Sequence, residues 1–234
     1  MSGFDRFKGG GSRDRLKSRA KTWRLENEDG MDFITDHEEL RALYRAPGDG
    51  AVRKELKRLD PHARNFLARS PFVLIGTQDV RGAADVSPKG DRAGFCVALD
   101  DVTIAIPDRP GNNRLDSWEN VIVNPAVGLL FLIPGMNETL RINGEGRLTA
   151  DRELRERLGV EGRPALTVLV VKIRAVYMHC AKAFMRSELW SPLTWPDRAE
   201  LPTLGQILRD QLALTQSREE LVANLAEGYR ESMW

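Results

Sequence analysis

The chain has 234 residues, a formal net charge of +1, 41% hydrophobic residues and 29% charged residues. This composition is typical of a globular protein that buries a substantial core. No apolar run approaches the roughly 20 residues that a membrane span needs. The N-terminus also lacks an apolar signal segment, so we expect a cytoplasmic protein without a membrane partner.

The charge is unevenly distributed. Residues 1–24 contain eight Lys or Arg residues against Asp5 and Asp14, which leaves a net charge of −5 for the rest of the chain. A mildly acidic body argues against a nucleic-acid-binding domain. Residues 1–30, which include three consecutive glycines, are predicted to form a flexible basic tail. A weak contact with nucleic acid or another acidic surface is the alternative for this tail.

Residues 31–234 are predicted to form a single domain that begins with helices. Thr35 or Asp36 can cap a helix through Arg45. A second helix is predicted over residues 51–59, and Asp60-Pro61 is predicted to open a third that runs to residue 68. These helices do not form a repeat.

Strand patterns begin after residue 71. The predicted strands cover residues 72–77, 84–91, 97–99, 103–106, 127–133, 139–148 and 165–176, with the second broken at Pro88-Lys89-Gly90 and a small helix over 151–158. About six strands at short spacing, mostly linked by hairpins, predict an antiparallel barrel or closed sheet with flanking helices.

Two helices are predicted at the C-terminal end, over residues 203–212 and 217–232. Ser217 and Glu220 have the spacing of a capping box for the second of them. Leu221, Leu225 and Tyr229 recur on one face of that helix, a pattern that favours a core or dimer contact over a ligand site.

Three polar clusters follow or interrupt the apolar strands. The segment 107–114 combines backbone N–H groups around Gly111 with Asn112, Asn113 and the guanidinium of Arg114, and a helix is predicted to start at Asp116. These groups suit a phosphate, although an ordinary loop between strands has the same composition. Residues 87–91 could contact an anion or a ring edge, or form a plain surface turn. The third cluster, residues 179–190, follows the last strand.

Sequence motifs for other chemistry are missing. The chain has three histidines and two cysteines, and His179-Cys180 has no partner residues at a metal-ligand spacing, so no metal site is predicted. Cys96 and Cys180 are expected to be reduced core residues. There is no nucleophile elbow, P-loop or dinucleotide glycine fingerprint. An enzyme without a recognisable nucleophile or acid-base pair often takes its chemistry from a cofactor. No catalytic residue is predicted.

Several segments, in this order, resemble the pyridoxamine 5'-phosphate oxidase-like FMN-binding split-barrel family, specifically a bacterial branch of probable flavoproteins. They read SPFVLIGTQ, ADVSPKGD, IPDRPGNNRLDSWENVIVNPAVGLLFLIPG, ETLRINGEGRLT and CAKAFMRSELW. The resemblance covers about residues 33–212. It implies a six-stranded antiparallel split barrel, an intimate homodimer and two FMN sites at the subunit interface.

The resemblance also implies roles for individual residues. Ser87, Pro88 and Lys89 match the turn that contacts the flavin ring and ribityl chain. Pro107 and Asp108 match the strand along the isoalloxazine edge, whereas Asn112, Asn113 and Arg114 match the phosphate cradle. Lys182, Arg186 and Trp190 match the segment that approaches the flavin from the partner chain.

The family's arginine-rich phosphate motif and its C-terminal Arg/His substrate pair do not appear in this sequence. The resemblance therefore supports FMN better than it supports vitamin B6 oxidation. We expect an FMN-dependent oxidoreductase that acts on an unknown small molecule, with a nicotinamide cofactor as one possible reductant. The alternatives are a dimer that binds flavin or haem for sensing or storage, and a structural dimer that has lost its cofactor.

Overall fold

The computed structural model describes residues 33–233, which divide into two units, residues 33–47 and 48–233. The predicted tail, residues 1–30, lies outside the described residues, so its boundary stays a prediction. The first unit contains helix α1, His37–Ala42. Asp36 caps this helix by accepting a hydrogen bond from the backbone N–H of Glu39 at 2.8 Å, as predicted. The helix ends three residues before the predicted Arg45.

The second unit contains seven strands and seven α-helices among its described residues, with two short 3-10 helices at Pro192–Thr194 and Arg198–Glu200. The strands are β1 Phe72–Gln78, β2 Ala84–Gly90, β3 Val97–Ala98, β4 Thr103–Pro107, β5 Ala126–Leu132, β6 Thr139–Thr149 and β7 Val168–His179. The helices are α2 Asp49–Arg53, α3 Pro61–Leu67, α4 Asp116–Val123, α5 Arg152–Arg157, α6 Lys182–Ser187, α7 Leu204–Leu212 and α8 Arg218–Ser232.

The strands form one sheet in the order β2-β1-β5-β6-β7-β4-β3, and every neighbouring pair is antiparallel. This arrangement confirms the predicted mainly-β class, an antiparallel sheet with flanking helices. The sheet has seven strands rather than six, because the two-residue strand β3 adds an edge beside β4. Within the described residues the two edge strands, β2 and β3, do not pair with each other, so the hydrogen-bonded ladder stays open.

The main core lies on one face of the sheet, and a smaller buried cluster of Ala105, Leu158, Ala165 and Val168 lies apart from it. Buried side chains from β1, β4, β5, β6 and β7 belong to one hydrophobic cluster, together with α3 and α4. The alternation of buried and exposed residues along β1 and β5 places their odd-numbered residues, such as Val73, Ile75, Leu129 and Phe131, in that cluster. Strands from both halves of the sheet share one core, which indicates that the sheet curves around it.

The predicted break in β2 at Pro88 is wrong. The strand continues through Pro88, which lies opposite Leu74 of β1, and ends at Gly90 opposite Phe72. β2 is an edge strand, so a residue without an N–H group can occupy its outer side without losing a ladder hydrogen bond. The strand therefore carries Ser87 and Lys89 as regular strand residues rather than as turn residues.

Other boundaries differ in ways that follow from long-range pairing. α2 is shorter than predicted, and α3 follows the cap formed by Asp60, which accepts a hydrogen bond from the Ala63 N–H at 2.7 Å. β7 begins at Val168 and extends to His179, because its start pairs with Thr149 of β6 and its end with Thr139. The short helix α6 was not predicted from the sequence.

The two cysteines have different environments. Cys96 is buried, with 2% of its surface exposed, and burial raises the pKa of its thiol well above the ordinary value. Cys180 is exposed, so its expected place in the core is wrong. It directly follows the end of β7 at His179.

None of the helices in residues 33–233 has the length and apolarity that crossing a membrane requires.

Candidate functional site

One face of β2 carries three polar residues toward the body of the domain. Asp85, Ser87 and Lys89 are half-buried, whereas the alternating residues Val86 and Pro88 are exposed. The period of two along a strand places all three on the same face. The alternation of polar residues is visible in the sequence ADVSPKG, but Asp85 was not predicted to be a site residue.

Helix α4 packs against this face. The hydroxyl of Ser117 donates a hydrogen bond to the carboxylate of Asp85, and the Asn120 side chain donates to Thr77 Oγ1 of β1 at 3.1 Å. Trp118 is 5% exposed, and the ammonium of Lys89 lies 4.4 Å from the centre of its ring. A cation over an indole face is a favourable arrangement that also fixes the position of the lysine.

Lys89 joins the predicted polar cluster at residues 87–91 to the one at residues 107–114. Its Nζ lies 2.8 Å from Oδ1 of Asp108, and the side chains are 23% and 9% exposed. Asp108 directly follows β4, and its backbone N–H donates to the carbonyl of Thr167 at 2.9 Å. The structure thus brings together two polar segments that lie about 20 residues apart in sequence.

A second ion pair fixes the start of the loop that follows β4. Arg109 Nε lies 2.6 Å from Oδ2 of Asp91, and both side chains are largely buried at 14% and 3% exposure. The Nη1 group of Arg109 also donates to the carbonyl of Leu158 at 2.9 Å. Arg109 therefore ties the loop to the end of β2 and to the segment after α5.

The loop then turns through Asn112 and Asn113. The Asn112 side chain accepts a hydrogen bond from the backbone N–H of Arg114 at 3.0 Å, an Asx turn. Asn113 has a φ of +57°, a left-handed conformation that asparagine tolerates better than most residues. The two asparagines that match the family's phosphate cradle thus have a clear structural function in the turn.

Arg114 lies at the start of α4, where Asp116 orients it. Its Nε lies 2.6 Å from Oδ2 of Asp116, and its side chain is 78% exposed. The hydrogen bond and the negative charge of Asp116 raise the pKa of Arg114 above its ordinary value. Among the described residues, neither Nη group of Arg114 has a hydrogen-bond partner, so both are available to an acceptor.

These residues surround a cleft of about 190 Å³. Its lining comprises Asp85, Val86, Ser87, Pro88, Lys89, Asn112, Arg114, Leu115, Asp116, Ser117 and Trp118. Five of the predicted cofactor residues, namely Ser87, Pro88, Lys89, Asn112 and Arg114, therefore line one cleft. The lining also includes two cations and two carboxylates, Asp85 and Asp116, while Asp108 pairs with Lys89.

The remaining predicted residues lie elsewhere. Pro107 is the buried end of β4, and Asn113 is exposed in the turn. Lys182 and Arg186 are exposed on α6, and neither has an ion pair within the described chain. Trp190 stacks on Phe184 with 5.9 Å between ring centres and donates from Nε1 to the Met136 carbonyl at 2.8 Å. Lys182, Arg186 and Trp190 do not line the cleft in this single chain.

The sequence family described as Pyridoxamine 5'-phosphate oxidase matches residues 59–180. This range is just over half of the chain, and it contains all seven strands of the sheet. The chain belongs to this family. This family match confirms the resemblance drawn from the sequence segments. A comparison with curated proteins found no match.

Solved structures of other proteins give more distant similarities. An FMN-binding protein from Syntrophomonas wolfei is 15% identical, with a TM-score of 0.40 over 50% of this chain and 84% of its own. A Clostridium acetobutylicum protein related to general stress protein 26, of the pyridoxinephosphate oxidase family, is 16% identical, with a TM-score of 0.38 over 50% and 85%. HupZ from Group A Streptococcus is 11% identical, with a TM-score of 0.43 over 51% and 93%.

The cleft of this family member has donors that suit FMN. The Trp118 Nε1 group is buried and has no hydrogen-bond partner within residues 33–233. The Ser87 side chain likewise has no hydrogen-bond partner in that part of the chain, and Arg114 has two available Nη groups. A buried donor without a partner is costly, so an acceptor-rich ligand in the cleft would stabilise it.

Sequence reasoning did not identify Asp85, Asp116, Ser117 or Trp118 as part of the cleft. The alternation along β2 could have identified Asp85. The other three lie in the segment IPDRPGNNRLDSWENVIVNPAVGLLFLIPG, which resembles the family. Only the packing of α4 on β2 shows that they face Ser87 and Lys89.

Proposed function

We propose that this chain is an FMN-binding flavoprotein that acts as an oxidoreductase on a small molecule, as a cytoplasmic homodimer. The observation that carries the proposal is the convergence of β2 and the 108–116 loop on one cleft through Lys89, which contacts both Asp108 and Trp118. Membership of the pyridoxamine 5'-phosphate oxidase family supports the same cofactor. FMN would supply reversible two-electron chemistry, so no titrating side chain is required for the redox step.

Each residue has a defined part in this proposal. The Nη groups of Arg114 would bind the phosphate, since Asp116 holds the guanidinium by Nε and leaves its outer edge available. Ser87, Lys89 and Trp118 would donate to the polar edge of the ring and the ribityl chain. Lys89 would orient the ring by this hydrogen bond rather than by a net charge, since Asp108 neutralises it.

The absorbance spectrum of the purified protein tests the cofactor. Flavin bands, with FMN identified after release, would support the proposal. A preparation that is colourless after incubation with FMN and removal of the unbound FMN would refute it. Steady-state turnover with a nicotinamide donor separates an oxidoreductase from a protein that binds flavin for sensing or storage. A haem spectrum would indicate a different cofactor.

Arg114→Ala is expected to weaken FMN binding by about tenfold, because a charge-assisted contact to the phosphate is lost. Riboflavin lacks the phosphate, so its affinity should change much less. Arg114→Lys should recover part of the loss, because the charge stays and the fork geometry does not. Fluorescence titration of both ligands provides the measurement.

Arg152→Ala is the matched control for Arg114→Ala. Arg152 is another exposed arginine paired with a carboxylate, at 2.8 Å from Glu156, and it does not line the cleft. Its replacement should leave both flavin affinities unchanged. Equal responses of FMN and riboflavin to Arg114→Ala would contradict the phosphate assignment.

The exposed residues of α6 motivate a prediction about the proposed homodimer. Lys182 and Arg186 are cations without an ion pair in the described part of one chain, and we propose that they complete the partner's cleft. Arg114→Ala and Arg186→Ala homodimers should both bind FMN weakly. A heterodimer of the two variants should have one intact site, because the altered residues then fall on the same site.

This heterodimer experiment needs two differently tagged chains and a mass measurement that verifies the dimer. Titration should give about half of the sites with the affinity of the unaltered protein. Two equally weakened sites would show that Arg114 and Arg186 serve the same chain's site, and a monomeric mass would refute the dimer itself.

A further inference from the structure

A second cavity, of about 450 Å³, adjoins the proposed cofactor cleft. One side consists of the loop after β4, with Arg109 and Asn112. The other consists of Asn224, Leu225 and Tyr229 of helix α8 and of Met233, which directly follows the helix. Asn112 lines both the cleft and this cavity. The two spaces are therefore neighbours that share one wall residue.

Helix α8 is positioned by its own cap and by α7. Ser217 and Glu220 form the predicted capping box, with hydrogen bonds of 2.9 and 3.2 Å. A Cβ atom on Gly205 of α7 would lie only 3.3 Å from Val222 of α8, so the two helices pack closely there. The remaining apolar stripe of α8, Leu225 and Tyr229, faces the cavity.

The charge in the lining of this cavity is already neutralised by a buried counter-ion. Arg109 is the one charged residue in the described lining, and its guanidinium is engaged by Asp91 and by the Leu158 carbonyl. The Asn112 oxygen accepts from Arg114, but its NH₂ group has no partner among the described residues. The Asn224 amide also has no hydrogen-bond partner in that part of the chain.

We infer that this cavity, beside the proposed cofactor cleft, binds a planar, uncharged organic molecule. The ring of Tyr229 supplies a face for stacking, and Leu225 and Met233 supply apolar contact. The two amides supply hydrogen bonds to a polar edge of the ligand. A phosphorylated or carboxylated molecule is disfavoured, because its charge would lose water and the cation in the described lining, Arg109, is already neutralised by Asp91.

Two matched probes test the charge preference, 2-naphthamide and 2-naphthoate, which differ in the charge of one substituent. Calorimetric titration of the full FMN-loaded chain should show at least tenfold tighter binding of the amide. Tyr229→Ala should weaken amide binding by about five- to tenfold, whereas Tyr229→Phe should retain it. The affinity for FMN and the melting temperature should stay unchanged in both variants, since Tyr229 is half-exposed and does not line the cleft.

The inference and the proposed function fail in different ways. Equal binding of the two probes, or amide binding that ignores Tyr229→Ala, would overturn the inference while FMN binding stays intact. If FMN itself does not bind, the proposed function fails, and the same titrations are made on the FMN-free chain. Tyr229-dependent preference for the amide would then uphold the neutral cavity, and its absence would overturn the cavity as well.

Discussion

Arg109→Leu is expected to lower the free energy of unfolding by about 3–5 kcal/mol, the range for removing one partner of a buried ion pair. The variant leaves the Asp91 carboxylate, with a side chain 3% exposed, without its charged partner. It also removes the hydrogen bond to the Leu158 carbonyl. Denaturation in urea, with the slope compared between proteins, measures the change.

Arg152→Met is the matched control for this variant. Arg152 pairs with Glu156 on the exposed face of α5, with side-chain exposures of 89% and 54%. An exposed pair of this kind contributes about 0.3–0.5 kcal/mol, so the control should be nearly neutral.

The double variant Asp91→Asn/Arg109→Leu should recover roughly 1–2 kcal/mol, because it removes the unpaired charge. If Arg109→Leu lowers the free energy of unfolding no more than the control does, the Asp91–Arg109 pair contributes no more to stability than an exposed pair.

Lys89→Met is expected to have the second-largest effect, a loss of about 2–3 kcal/mol in unfolding free energy. The loss falls below the range for a fully buried pair because the Lys89 side chain is 23% exposed. The variant leaves Asp108 without its ion pair and removes the cation from the face of Trp118. Denaturation of the flavin-free protein measures this structural effect separately from cofactor binding.

Lys172→Met is the control for Lys89→Met, since Lys172 is an exposed lysine on β7 without an ion pair in the described residues. Its replacement should change stability by less than about 0.5 kcal/mol. Lys89→Arg should retain most of the stability, because an arginine can also pair with Asp108 and lie over an indole ring. A loss in Lys89→Arg equal to that in Lys89→Met would contradict the charge argument.

Local patterns in the sequence predicted the elements that are determined by residues close together in the chain. The caps at Asp60 and Ser217 were correctly identified, and Asp36 was one of two candidates, because a cap depends on residues only three positions apart. The strand segments and the antiparallel class were also predicted, since alternation and turn residues lie close in sequence. The family resemblance, later confirmed by the match to residues 59–180, depended on several such segments together.

Features that depend on distant pairing could not be predicted in the same way. Whether Pro88 breaks β2 depends on the position of that strand at the sheet edge, and the edge is defined only by the complete strand order. The pairing of β4 with β7 joins residues more than 60 positions apart. The contact between Lys89 and Trp118 depends on how α4 packs against β2, and no local pattern contains that information.

The contrast between the two cysteines gives the protein an internal chemical reporter. A cysteine thiolate attacks an electrophilic thiol reagent, so the exposed Cys180 should be modified in the native state. The sealed Cys96, whose pKa burial raises, should react only when the surrounding structure opens. The delay between modification of Cys180 and modification of Cys96 would then measure how fast the segment between β2 and β4 opens. A longer delay after addition of FMN would show that the cofactor slows this opening.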